Sequence, residues 1–234
     1  MKEAQAGKEL PEIDFIDHQK KLCKIYGVDF RKVEEINSML KPLLQNLDKN
    51  DVNKVSYTTI LNIRRNVDSW LELWKFSTSK SNLTPKQKSL LELYLYLVLS
   101  EGVFSETIQA VAFLLVANHH DIYDVEKREF VKDYEGLNNV SLFYKLQFVE
   151  RHGFVFISSS FDRDLRNLIA HLRIEVQEDG KMVEITRQGK TGKKVESIEK
   201  KTDYLGCICA LTLLAIEGSL GTELKRRGLK LRLS

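Results

Sequence analysis

"LLELYLYLVLSEGVFSETIQAVAFLLVAN", residues 90–118, is the stretch on which the fold turns. Its length and apolar content invite a membrane reading, since a span needs roughly 20 apolar residues in a row. Glu92, Glu101 and Glu106 interrupt it, so it reads instead as buried helices of a soluble protein. Two helices are expected, over about 85–100 and 104–118, with Gly102 as the break between them. Thr84 is the natural N-cap and Pro85 fits the first helical position, where its missing N–H costs nothing.

The same logic extends outward in both directions. Asp29 can cap a helix running towards Leu47, and a second is expected from Asp51 to Phe76, with Trp70, Leu71, Leu73 and Trp74 on a wide apolar face. The two tryptophans, four apart, are expected to pack. Residues 1–12 read as frayed, and 121–153 are ambiguous apart from "VSLFYKLQFVERHG", a helix ending at Gly153. "LRIEVQEDGKMVEITRQG" alternates apolar and polar residues on both sides of Asp179-Gly180, the signature of a tight hairpin. "GCICALTLLAI", residues 206–216, is too short to span a bilayer and reads as the centre of a last, deeply buried helix over about 197–218. The expected architecture is all-α: a helical bundle with a β-hairpin inserted before the last helix.

Composition places the chain among soluble globular proteins, with 43% hydrophobic and 29% charged residues in 234. "MKEAQAGKEL" has no apolar core after its charge and so no secretory signal, which points to the cytoplasm. The formal charge of +3 is unevenly spread. Residues 1–150 hold 20 Lys and Arg against 22 Asp and Glu, whereas residues 151–234 hold 16 against 11. A basic excess of that kind suits an anionic partner, RNA among them.

Several motif-like stretches carry little chemistry. "GKT" at 189–191 lacks the earlier glycine of a phosphate-binding P-loop, because Glu184 stands there, and "GKKVES" is expected to continue as loop rather than helix. "NHHDIYD", residues 118–124, offers two histidines and two aspartates. Neighbours on a helix point about 100° apart, so His119 and His120 cannot share an ion without a bend. Only His18 lies upstream to complete such a site. Cys207 and Cys209 diverge on a helix and, with Cys23, make an odd three, so neither a metal site nor a disulfide framework is expected.

"FDRDLRNLIAHLRIEV", residues 161–176, is different. Leu165, Leu168, Ile169 and Leu172 form the apolar stripe of a helix expected over 161–173, with the serines 158–160 and Asp162 as its N-cap choices. Counting about 100° per residue from Leu165 puts Arg166 at about 100°, Asn167 at about 200° and His171 at about 240°. Asn167 and His171 can then touch, while Arg166 and His171 lie too far round one helix to converge easily. Two copies meeting across a two-fold axis would bring the arginine of one to the histidine of the other, with Ala170 permitting close approach.

"RNLIAH", with Arg166, Asn167 and His171, resembles the Arg-x4–6-His motif of the HEPN superfamily (higher eukaryotes and prokaryotes nucleotide-binding domain). The late position of the motif, the insert after its histidine and the apolar final helix also resemble that family. The resemblance covers about residues 85–220 and implies a HEPN-like domain over 81–234 with its hairpin insert at about 173–195. Residues 1–80 would form an N-terminal helical extension packed on that core. It further implies a homodimer and a metal-independent endoribonuclease of a defence or toxin–antitoxin system, using no cofactor and controlled by an antitoxin or other regulatory protein. Arg166, His171 and Asn167 would be catalytic, with Arg163, Arg173, Lys190, Lys193 and Lys194 as RNA contacts. Where a toxin branch of the family carries a modifiable tyrosine, two residues after the histidine, this chain has Arg173. The alternative is a non-catalytic dimeric module that binds RNA, a nucleotide or a protein.

Overall fold

The computed structural model describes residues 15–48, 51, 61–79, 82–124, 127–131, 133–185, 191–195 and 198–227. Among the described residues the architecture is mostly helical, with two small antiparallel sheets. Helices α1 (Phe15–Tyr26), α2 (Phe30–Gln45), α3 (Leu61–Ser79), α4 (Pro85–Ala117) and the last helix, α9 (Ile198–Arg226), make the bundle. Between them come β1 (Ile122–Asp124), β2 (Glu129–Val131), α5 (Tyr134–Asn139), α6 (Leu142–Arg151), α7 (Val155–Ser158), α8 (Arg163–Ala170), β3 (Ile174–Val176), β4 (Met182–Ile185) and β5 (Thr191–Lys194).

Local sequence explains the helix starts. Asp29 accepts from the Arg31 N–H at 3.0 Å and begins α2. Thr84 and Gln87 form a reciprocal capping box around Pro85 and begin α4. On α2, Val33, Ile36, Leu40 and Leu44 recur at helical spacing and all are buried. They join Tyr96, Leu99, Phe104 and Ile108 of α4 and Leu205, Ile208 and Ile216 of α9 in one core. Gly206 lets α3 approach closely, since a Cβ there would stand 3.2 Å from Cη2 of Trp70. Trp70 is thus a packing residue; the side chain of Trp74 lies outside the described residues. At the far end, Arg227 donates to the Gln45 carbonyl at 2.9 Å and fastens α9 to the last turn of α2.

Helices α4 and α9 are long and apolar enough to cross a membrane. In this fold, however, 67% and 61% of their most apolar windows are buried against other elements.

The expected break at Gly102 is absent. The helix continues through a π-helical turn, Leu99–Phe104, in which the Ser105 N–H reaches the Ser100 carbonyl five residues back. Ser100 and Thr107 hydroxyls donate to the Tyr96 and Val103 carbonyls at 2.7 Å, giving that altered ladder side-chain partners. A glycine inside a helix lowers its propensity without ending it when both flanks are buried.

The hairpin is where the alternation placed it, with Ile174 opposite Glu184 and Val176 opposite Met182. Gly180 has φ +83° at its turn. The turn docks on the start of α4, where Ser89 donates to the Gly180 carbonyl at 2.8 Å. Three features depart from expectation. "TGKK" is a third strand paired to β4 rather than loop; β1 and β2 form a further hairpin in the ambiguous 121–153 region; and α9 runs eight residues beyond 218. The charged residues at its end, Glu223, Arg226 and Arg227, satisfy one another and so sustain the extra turns.

Candidate active site around Arg166

Helix α8 carries the motif, and α4 and α9 hold its first turn. The Asp162 side chain accepts from the Leu165 N–H at 2.9 Å as N-cap and pairs with Lys201 of α9. Burial alone would raise this carboxyl, but the Leu165 N–H and the Lys201 ammonium outweigh it and hold the group below its ordinary value. The backbone of the same residue is bonded twice to one hydroxyl: Tyr96 Oη donates to the Asp162 carbonyl at 3.2 Å and accepts from its N–H at 3.1 Å. Tyr96 is fully buried, and that burial pushes its phenol up to about 12. Leu165 and Ile169 face the core, as their spacing predicts.

The helix is shorter than expected. It ends at Ala170, so His171 is its C-cap and not a position on its wheel. Leu172 takes φ +52°, the left-handed conformation normally filled by glycine. Its N–H bonds to the Ile169 carbonyl at 3.0 Å, and the Arg173 N–H bonds to Leu168 at 2.8 Å, the paired closure of a Schellman motif. This reversal turns the chain straight into β3. It also leaves the side chains of His171 and Leu172 exposed, Leu172 at 87%.

Among the described residues no hydrogen bond joins the Asn167 and His171 side chains. The Asn167 Oδ1 instead accepts from Nη1 of Arg166 at 3.0 Å. Nε of Arg166 donates to a residue the sequence reasoning passed over, Glu101 of the π-helical turn. In the sequence Glu101 is only a charge interrupting an apolar run. The signal was there in the charge, but its direction depends on a π turn that no side-chain pattern announced. Among the described residues, nothing hydrogen-bonds the His171 imidazole, and Nη2 of Arg166 has no partner.

The remaining basic candidates divide. The Arg163 guanidinium lies over the Phe143 ring, 4.8 Å from its centroid, and is exposed. Arg173 is drawn into the sheet, with Nε donating to the Ile185 carbonyl at 3.3 Å and Nη2 3.4 Å from Glu184. Its pairing partner, Glu184, makes it less free for an external phosphate than its position suggested. Lys193 and Lys194 are exposed on β5, and Lys190 lies outside the described residues. A groove bounded by Ser159, Arg163, Lys200, Lys201 and Tyr204 lies at the start of α8. Among the described residues no three His, Cys, Asp or Glu side chains are placed to share a metal ion.

What α8 offers chemically is a fixed guanidinium and an exposed imidazole separated by one helical turn and a cap. A guanidinium with donors to spare suits a phosphate. An exposed imidazole suits proton transfer. Compared with protein-family models, with curated proteins and with solved structures, the chain matches none.

Proposed function

We propose that this chain is a metal-independent endoribonuclease of the HEPN type, cytoplasmic and acting as a homodimer. The observation that carries the reading is the guanidinium of Arg166: two of its nitrogens are occupied by Asn167 and Glu101, the third is open, and the exposed His171 closes the same helix. In the reaction the 2′-hydroxyl of RNA attacks the adjacent phosphorus. His171 of one protomer takes the proton from the 2′-hydroxyl and then, as imidazolium, returns it to the departing 5′-oxygen, and Arg166 of the other binds the phosphate and offsets charge developing on its oxygens. The P–O5′ bond breaks, leaving a 2′,3′-cyclic phosphate and a protonated 5′-hydroxyl. Asn167 steadies Arg166 in this scheme, and Arg163, Lys193 and Lys194 hold flanking phosphates without reading sequence. An antitoxin or regulatory protein would act by covering the dimer cleft.

One observation favours a second reading, a dimeric module that binds RNA, a nucleotide or a protein without cleaving. No described group orients the His171 ring, whereas a proton-transferring histidine is ordinarily held by a second hydrogen bond. Cleavage of a mixed RNA pool in the presence of EDTA separates the two. Wild-type cleavage that survives EDTA, yields cyclic phosphate ends and disappears in folded His171→Ala and Arg166→Ala is the expected result. Retained cleavage in both variants, or a strictly monomeric protein in light scattering, would sink the composite-site enzyme.

A further inference from the structure

The site contains a residue that the motif does not include. Tyr96 and Glu101 stand five apart on α4, yet both meet α8, at Asp162 and at Arg166. On a regular α-helix, residues five apart diverge by about 140°, so both could not serve one neighbouring helix well. The π turn over Leu99–Phe104 widens the coil and brings Glu101 round towards α8. Single π turns inside α-helices are frequently found at functional sites.

We propose that Glu101 is a positioning residue for Arg166. Its carboxylate accepts from Nε while Asn167 accepts from Nη1, so the plane of the guanidinium is fixed at two nitrogens and the donors of Nη2 are left for an anion. A flexible arginine would have to give up its freedom at the moment of binding. One already held at two points gives up less. The identity of the anion, a phosphate of RNA, rests on the nuclease reading above. The positioning itself rests on the geometry of α4 and α8. Asn167 alone cannot do the work, because one contact at Nη1 leaves the group free to swing about it.

The test uses Glu101→Ala, which removes the acceptor, and Glu101→Gln, which keeps an oxygen that can accept from Nε and removes the charge. Each is first matched to wild type in circular dichroism and dimer content. In Glu101→Ala, kcat for RNA should fall about 10- to 100-fold, as expected when a charged group is misplaced by about 1 Å, with KM nearly unchanged. Glu101→Gln should restore most of it. In parallel, the Nε–H signal of Arg166 in ¹⁵N NMR should be sharp and slow to exchange in wild type and in Glu101→Gln, and exchange-broadened in Glu101→Ala. Wild-type kcat in Glu101→Ala overturns the proposal. So does a loss of cleavage that leaves the Nε–H signal intact, since Glu101 would then act elsewhere. A wild type that cleaves no RNA but shows the Glu101-dependent Nε–H signal ends the nuclease reading while supporting the positioning of Arg166.

Discussion

The two ends of α8 are built by opposite means. At its start, two side chains from two other elements converge on one residue: Tyr96 of α4 on the Asp162 backbone and Lys201 of α9 on its carboxylate, which itself accepts from the Leu165 N–H. At its finish only backbone groups close the turn, with a leucine in a conformation that suits glycine and an exposed histidine beside it. Polar side chains of the scaffold are thus concentrated where the helix is anchored and withheld where His171 projects. A non-glycine residue in the left-handed region, as at Leu172, is an outlier of the kind that clusters at active sites and ligand clamps.

The contrast breaks most visibly at Tyr96. Tyr96→Phe keeps the buried ring but leaves the Asp162 N–H without its partner and the Asp162 C=O with the Arg166 N–H alone, at a cost of about 1–3 kcal/mol. Urea unfolding should show a lower midpoint with an unchanged m-value. A shift of only a few tenths would mean that the start of α8 is held by its apolar face alone.

Asp162→Ala comes next, removing the cap and the Lys201 pair for about 0.5–2 kcal/mol. The two variants can be told apart by pH. The folded carboxyl lies below the ordinary 3.8, so its contribution is present above that value and is lost as the pH falls through the folded pKa. The loss in Asp162→Ala should therefore be full at neutral pH and shrink below about pH 4, whereas the loss in Tyr96→Phe should not vary over that range. Equal losses at all pH values in both would show that the Asp162 carboxylate plays no part.

The anchored end was legible in the sequence and the open end only partly so. Asp162 as N-cap, Asp29 and Thr84 as others, and the Asp179-Gly180 turn were readable because each rests on contacts within a few residues. The closure at Leu172 was missed because apolar periodicity continues through Leu168 and Leu172 as though the helix did. Nothing in a leucine announces a left-handed φ. Glu101 escaped for a different reason. Its partner is 65 residues away, and its direction depends on a π turn in a stretch where every local signal favoured a plain helix or a break. Arg173 is a third case: its pairing with Glu184 depends on the register of β3 against β4, which nothing near the motif announces.

At the open end the effects should be smaller and of the other sign. A non-glycine residue in the left-handed region costs about 1–2 kcal/mol, and glycine adds about 0.5–1 kcal/mol of unfolded-chain entropy, so Leu172→Gly should gain a net few tenths to about 1 kcal/mol. The Leu172 side chain is 87% exposed and contributes little packing to oppose that gain. A lower melting temperature in Leu172→Gly would mean that Leu172 is buried in the working assembly, placing it at an interface.

The smallest shift should come from His171→Ala. The imidazole is exposed and makes no hydrogen bond among the described residues, while the His171 N–H bond to the Asn167 carbonyl at 3.0 Å survives the substitution. Stability should change by less than about 0.5 kcal/mol, the range of surface substitutions away from caps and cores. The variant therefore separates the two ends of α8 as Tyr96→Phe cannot, because any loss of RNA cleavage in it would belong to chemistry rather than folding. A cost above about 1 kcal/mol would place His171 in the scaffold. The open end would then be a second anchor, and the asymmetry that singles it out as a site would disappear.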